Sequence, residues 1–230
     1  MTSKKSDYTV LIISVLIFLL LQLSHFVQIQ YPFRLLGTWF HEMGHGLTAL
    51  ILGGGFKTLE IFPSGSGVAL TAIPEGNRWI AAAVSAGGLL APSIAGAILI
   101  LFGRWPAASR YGLILLTLLM ITSLVIWVRG DIGMIIVGSI SALLLFVAWK
   151  TDKEFCTFVI QFLGAQAALT SWSQWDYLFT EYANINGEQM LSDTGSIAQQ
   201  LGGSYALWGG LIGGFSALIL ILTFWLAYRR

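Results

Sequence analysis

The chain has 230 residues, of which 56% are hydrophobic and 10% are charged, and its formal net charge is +1. Soluble domains carry about a quarter charged residues, so this composition indicates a membrane protein. The near-neutral charge, without a basic run, excludes a nucleic-acid partner, and the single cysteine, Cys156, excludes an internal disulfide and a cysteine-built metal cluster.

The first predicted element is a transmembrane helix over residues 8–27, after a short polar head with Lys4 and Lys5. Its apolar stretch is too long for a signal peptide and no small-residue cleavage site follows, so we expect the helix to be retained. A second apolar helix is predicted over residues 32–52, with Pro32 in its first turn. Three consecutive glycines from residue 53 are expected to end it.

Residues 56–72 alternate apolar and polar side chains on both sides of a Pro-Ser-Gly-Ser-Gly turn, which predicts a β-hairpin. This hairpin directly follows the second helix. Its free strand edge could pair with an extended peptide, although a plain interfacial loop fits the pattern equally well.

The remaining apolar stretches predict four transmembrane helices, over residues 79–102, 111–128, 132–149 and 205–228. Residues 155–179 mix apolar, small and polar side chains, which predicts a helix in the bundle interior or in the membrane interface. The fold class is therefore an all-α polytopic membrane protein with six or seven transmembrane helices and one short β-hairpin. We expect residues 1–230 to form a single membrane-embedded domain.

The second helix carries the most informative motif, His41-Glu42-Met43-Gly44-His45. Positions i and i+4 share one helix face, so His41 and His45 can bind one metal ion, and Glu42 can act as the base. Polar side chains are unfavourable in so apolar a segment unless they have a function. Gly44 and Gly46 suit either the close approach of a substrate or helix packing.

A catalytic zinc usually has three protein ligands, so the pentad leaves one ligand to find. Asp193 lies just before the last apolar stretch, where Ser-Asp could equally be a helix N-cap. The competing candidates are Asp176, Glu181, Glu188 and His25, the last of which is more often a hydrogen-bonded anchor at the interface.

Several segments over most of the chain carry a further signal. They are Trp39-Phe-His-Glu-Met-Gly-His-Gly-Leu-Thr-Ala, the glycine turn from Gly53 with the hairpin after it, Ala86-Gly-Gly-Leu-Leu-Ala-Pro, Phe162-Leu-Gly-Ala-Gln and Ser192-Asp-Thr. With these segments the chain resembles the M50 metallopeptidases, the site-2 protease group, and most closely their M50B-like branch.

The resemblance implies a set of roles. His41 and His45 match the two histidine ligands of the family's zinc, Glu42 matches the general base, and Asp193 is similar in position to the third ligand. The chain has Ser-Asp-Thr-Gly where better-known relatives carry Asn-Pro-x-x-Asp-Gly or Leu-Asp-Gly. Iron or cobalt could replace zinc in such a site.

The expected function is zinc-dependent hydrolysis of a peptide bond in or next to a transmembrane segment. The expected partners are a membrane-protein or membrane-adjacent peptide substrate and the lipid bilayer, in a bacterial cytoplasmic membrane, with the oligomeric state open. The alternative is a metal-binding membrane protein that does not cleave, such as a chaperone, sensor or scaffold. A transporter or structural protein with a chance motif is a further alternative, and Glu42→Gln separates the protease from both.

Overall fold

The computed structural model describes residues 12–13, 16–17, 19–21, 26–173 and 175–229. The helices, in chain order, are α1 (Val27–Ile51), α2 (Arg78–Phe102), α3 (Pro106–Ile126), α4 (Asp131–Lys150), α5 (Lys153–Ser173), α6 (Trp175–Leu178), α7 (Asp193–Leu201) and α8 (Tyr205–Tyr228). The strands are β1 (Gly55–Ile61), β2 (Gly67–Ala72), β3 (Val128–Arg129), β4 (Tyr182–Ile185) and β5 (Glu188–Leu191).

Four helices of the described part, α2, α3, α4 and α8, are long and apolar enough to cross a membrane. The described part is thus mostly helical, as predicted, with two small sheets, while six or seven transmembrane helices remain a prediction. Of the helix predicted over residues 8–27, residues 12–13, 16–17 and 19–21 are helical. His25 lies outside the described residues.

Helix α1 begins at Val27 rather than at residue 32, so Pro32 lies inside the helix and not in its first turn. Proline prefers the first turn because its missing N–H is unpaired there in any case, but a proline slightly further in removes only one hydrogen bond. The helix ends at Ile51, and Gly53 adopts a φ of +82° in the turn that follows.

The predicted hairpin is present as β1 and β2, and β1 is the centre of a three-stranded sheet in the order β2-β1-β3. Strand β3, in the short connection between α3 and α4, was not predicted because two residues give no alternation signal. A second hairpin, β4 and β5, was also not predicted. Its sequence signal is Asn186-Gly187, both with positive φ (53° and 91°), a dipeptide typical of hairpin turns.

Two hydrophobic clusters hold these elements together, and α2 borders both. The larger core joins α1, β1 and the helices from α2 to α5, and buries Trp39, Leu59 and Met120 completely. The smaller core joins α2, α6, α7 and α8 around Leu178 and Ile197. Helix α2 therefore packs against both halves of the described chain.

Small residues let the helices approach closely. A Cβ added to Gly44 would lie 2.5 Å from the Gly87 carbonyl oxygen on α2, and one added to Gly46 would lie 2.1 Å from the Phe56 ring. Access for a substrate is therefore wrong at both positions, because neighbouring protein fills them. Helix packing is confirmed for Gly44, which faces α2, whereas Gly46 packs against β1.

One end of the bundle carries the contacts expected where membrane helices meet water. The cation–π pairs there are Arg104 with Trp105, Lys150 with Trp149, and Arg229 with Trp225. Arg104 donates to the Leu226 carbonyl at 2.9 Å and Arg110 to the Thr151 carbonyl at 2.6 Å. The ends of α2, α3, α4 and α8 are thus tied together on this side.

Candidate metal centre

Three side chains predicted as metal ligands meet at one point. The Nε2 atoms of His41 and His45, both on α1, lie 3.0 Å apart. The Asp193 carboxylate, at the start of α7, lies 3.0 Å from His41 Nε2 and 3.4 Å from His45 Nε2. Among the described residues these three form the one such group with the spacing of metal ligands.

The donor set fits a zinc ion. Ligands about 2.1 Å from a tetrahedral metal lie roughly 3.4 Å from one another, close to the separations between these three side chains. His45 Nδ1 lies 2.9 Å from the Val84 carbonyl, to which it can donate as an N–H, and this leaves the Nε2 lone pair facing the site. Two imidazole nitrogens and a carboxylate are one of the ligand sets that zinc takes in catalytic sites.

Asp193 is placed by a helix cap, and the cap and ligand interpretations turn out to be compatible. Ser192 is the N-cap, with its Oγ accepting from the Gly195 N–H at 3.0 Å. The Asp193 carboxylate is therefore not needed for capping and turns to the imidazoles. Burial opposes its charge, but His45 and His41 outweigh burial and hold the pKa of this carboxyl well below its usual range.

Tyr177, on α6, is a site residue that the sequence did not reveal. Its hydroxyl donates to Asp193 Oδ2 at 3.1 Å and accepts from the Asp193 N–H at 3.3 Å. Burial and the charge on Asp193 raise the pKa of this hydroxyl well above its usual value, so it remains a donor. The only signal in the sequence was its neighbour Asp176, which we considered as a ligand.

Glu42 is buried beside the first hairpin. A Cβ added to Gly67 would lie 2.8 Å from Glu42 Cγ and 2.7 Å from Thr38 Cγ2, so only glycine leaves room for the carboxylate there. The backbone of Ala69, on β2, faces the Glu42 carboxylate and favours its charged form. The first hairpin therefore confines the side chain predicted to act as the base.

The predicted base and His41 border a cavity of about 530 Å³. On one side the turn of the first hairpin is bound to α1, where Thr38 donates to the Gly65 carbonyl at 2.7 Å and Tyr31 donates to the Pro63 carbonyl at 2.9 Å. Arg34 donates to the Ser64 carbonyl in the same turn. The opposite side is formed by residues of α5, Tyr177 and β4.

The other candidates for the third ligand lie elsewhere. Asp176 borders the same cavity but is exposed and is not part of the ligand group. Glu181 and Glu188 are exposed near and on the second hairpin. The structure thus brings Asp193, rather than these carboxylates, to the two histidines.

The sequence was compared with known families, proteins and structures. The family model described as Peptidase M50B-like matches residues 11–223 of the chain. No curated protein and no solved structure matches the chain. The family and the four apolar helices together point to an integral membrane peptidase.

Proposed function

The chain belongs to the peptidase M50B-like family, and from this premise we propose that it is a zinc-dependent intramembrane endopeptidase. It would hydrolyse a peptide bond in or next to a transmembrane segment of another membrane protein, in the cytoplasmic membrane of a bacterium. The observation that carries the proposal is the meeting of His41, His45 and Asp193 beside Glu42, at the edge of a cavity large enough for a peptide segment.

The metal would be held by His41 Nε2, His45 Nε2 and the Asp193 carboxylate. When bound, zinc supplies a Lewis acid that polarises the substrate carbonyl and lowers the pKa of water from about 15.7 toward about 7. The Val84 carbonyl orients His45, and the Tyr177 hydroxyl orients Asp193, so both ligands are fixed by a second hydrogen bond.

Glu42 is the group that moves the proton. It accepts a proton from the attacking water and then delivers it to the leaving amine. Its position next to the first ligand keeps it on the metal side of the helix, and the backbone at Gly67 closes off the other side. The side chain is buried, so proton transfer takes place away from bulk water.

Strand β2 supports a mode of substrate binding. The Leu59 N–H donates to the Trp127 carbonyl at 2.8 Å, so in the antiparallel pair Leu59–Ala69 the backbone groups of Ala69 point away from β1. This outer edge faces Glu42. An extended peptide that pairs with β2 would therefore carry its scissile bond past the base.

Ala69→Pro removes an outward N–H that the β1–β2 pairing does not use. Because this N–H also faces the Glu42 carboxylate, the binding mode is tested by KM, which reports the pairing of the peptide, and not by kcat, which also reports the base. We expect metal binding to be retained and KM to rise by about tenfold, as for loss of one hydrogen bond. Ala69→Ser, which keeps the N–H, is the control. Full activity in Ala69→Pro would remove β2 from the mechanism.

The proposed function itself is tested by metal content and by cleavage in cells. Purified wild type and Glu42→Gln should each hold about one zinc per chain, whereas His41→Ala and Asp193→Ala should hold little. Mass spectrometry of new protein N-termini should then find cuts in or beside transmembrane segments in cells with wild type but not with Glu42→Gln. Zinc without any Glu42-dependent cut would favour a metal-binding protein that does not cleave.

A further inference from the structure

The cavity contains a buried polar group whose donor has no partner. Gln166, on α5, is 4% exposed and borders the cavity together with His41 and Glu42. Its side-chain Nε2 is buried and makes no hydrogen bond to any residue that the structure describes. Gln161, on the same helix, is equally buried, but its Nε2 donates to the Gly103 carbonyl at 2.8 Å.

This difference between two glutamines of one helix is informative. Buried side-chain donors in folded proteins nearly always have a partner, because leaving one unpaired is unfavourable. Gln161 meets this requirement for its donor within the protein, although its Oε1 has no partner among the described residues. Gln166 borders an open cavity instead, so the partner of its amide is best supplied by a molecule that enters the cavity.

The packing of α5 on α1 gives the offset between Gln166 and His41 along the axis of α1. The Phe162 ring lies 5.4 Å from the Phe33 ring, and Thr170 packs against Gly37, where an added Cβ would lie 2.5 Å from Thr170 Cγ2. Gln166, midway between Phe162 and Thr170, is thus level with residue 35. His41 is six residues further along α1, or about 9 Å at the rise of an α-helix.

We propose that Gln166 binds the substrate by donating from Nε2 to a backbone carbonyl oxygen about three residues from the scissile bond, since an extended chain rises about 3.3 Å per residue. The inference rests on the proposed function and adds a subsite to it. An amide donor recognises the backbone whatever the side chain. It therefore suits a substrate that has lost its helical hydrogen bonds inside a membrane protein, where each backbone group needs a new partner.

The test uses binding of three hydroxamates, a group that binds zinc. The short probe is acetohydroxamate, and the two long probes carry four alanine residues on the amino or on the carboxyl side of the metal-binding group. The variant is Gln166→Met, which keeps the shape and removes the donor. Gln161→Met is the matched control, because it alters the same helix away from the cavity.

We expect Gln166→Met to bind one of the two long probes about three- to tenfold more weakly than wild type does, as for loss of one hydrogen bond. Its affinity for acetohydroxamate should be unchanged, which shows that the metal site is intact. In Gln161→Met the affinity ratio of long to short probe should remain that of wild type.

Three results would overturn the inference. If Gln166→Met binds both long probes as wild type does, Gln166 is not a substrate ligand. If it loses affinity for all three probes by one factor, its role is structural. If wild type binds no hydroxamate in a metal-dependent manner, the proposed function fails and this inference fails with it.

Discussion

Two regions on either side of the cavity, which α5 also lines, supply different parts of the site and are built differently. The first wall, residues 27–72, comprises α1, β1 and β2 and carries His41, Glu42 and His45. The second wall, residues 175–201, comprises α6, β4, β5 and α7 and carries Asp193. The first wall packs into the larger core, and the second wall into the smaller one.

The two hairpins differ most in how they are attached. Strand β1 pairs on both sides and buries Leu59 and Ile61, and its turn is hydrogen-bonded to α1 at three places. Within the described part of the chain, strands β4 and β5 pair only with each other, and they are largely exposed. The second hairpin is joined at its base, where the Ser192 N–H donates to the Glu181 carbonyl at 2.9 Å. The predicted base and the proposed substrate edge thus lie on the first wall, which is attached at more points. On the second wall, the segments that carry Tyr177 and Asp193 are the ones that the proposed metal site needs.

The largest effect is expected where the first wall touches the base. Gly67→Ala would place a methyl group within 2.9 Å of Glu42 Oε1, so the carboxylate must move. A displacement of about 1 Å at a catalytic group can reduce the rate by about 100-fold. We expect a loss of this order in kcat, measured on a substrate identified by the cellular assay, with zinc content unchanged.

Gly55→Ala is the matched control, because its added Cβ would lie 3.6 Å from Ala72 Cβ, an ordinary contact in the same sheet. It should remain near wild-type activity. If Gly67→Ala is as active as Gly55→Ala, the first wall does not position Glu42. The proposed difference in role between the two walls would then be wrong.

The next largest effect is expected on metal affinity, and it should be confined to the second wall. Tyr177→Phe removes the hydroxyl that orients Asp193, so we expect metal affinity to fall by about 10- to 100-fold, measured by competition with a chelator.

Thr38→Val is the matched change on the first wall, where it removes a buried hydroxyl that donates to the Gly65 carbonyl. It should lower the melting temperature through loss of about one hydrogen bond, roughly 1 kcal/mol, and leave metal affinity unchanged. Equal metal loss in both variants would contradict the division of roles.

The first wall could be predicted from the sequence because the residues that form its motif and its hairpin are close together in the chain. The pentad places two ligands and a base on one helix face, and the alternation after it gives the hairpin. The sequence does not show how the helix and the hairpin pack against each other. That Gly67 leaves room for Glu42, and that the third strand comes from Val128 and Arg129, depends on contacts between distant residues.

The second wall was harder to predict because its residues join the site through contacts with residues that are distant in the chain. Asp193 was one carboxylate among eleven, and its Ser-Asp setting is common at helix starts. The choice over Asp176 rested on the family resemblance and not on spacing. Tyr177 and Gln166 matter only through where α6 and α5 bring them, and no motif marks either residue. The hairpin between Tyr177 and Asp193 was not predicted although Asn186-Gly187 is a strong turn signal, since its strands are only four residues long.

The smallest effect is expected at the tip of the second hairpin. Gly187 has a φ of +91° and open space around it, so Gly187→Ala strains the turn by about 1 kcal/mol without a clash. Because β4 borders the cavity and a Cβ added at Gly187 would meet no described atom within 4 Å, we expect KM to rise by about two- to threefold, with kcat, zinc content and melting temperature near wild type.

Gly76→Ala is the control for this last change, since Gly76 also has a positive φ (+72°) and open space, but lies in the turn before α2. It carries the same backbone strain away from the cavity, so KM should not change. A rise in KM only in Gly187→Ala would mean that the second hairpin contacts the substrate. A large loss of kcat or zinc would instead mean that strain at the tip reaches Asp193 through β5, and that the second wall is as firmly coupled to the metal site as the first.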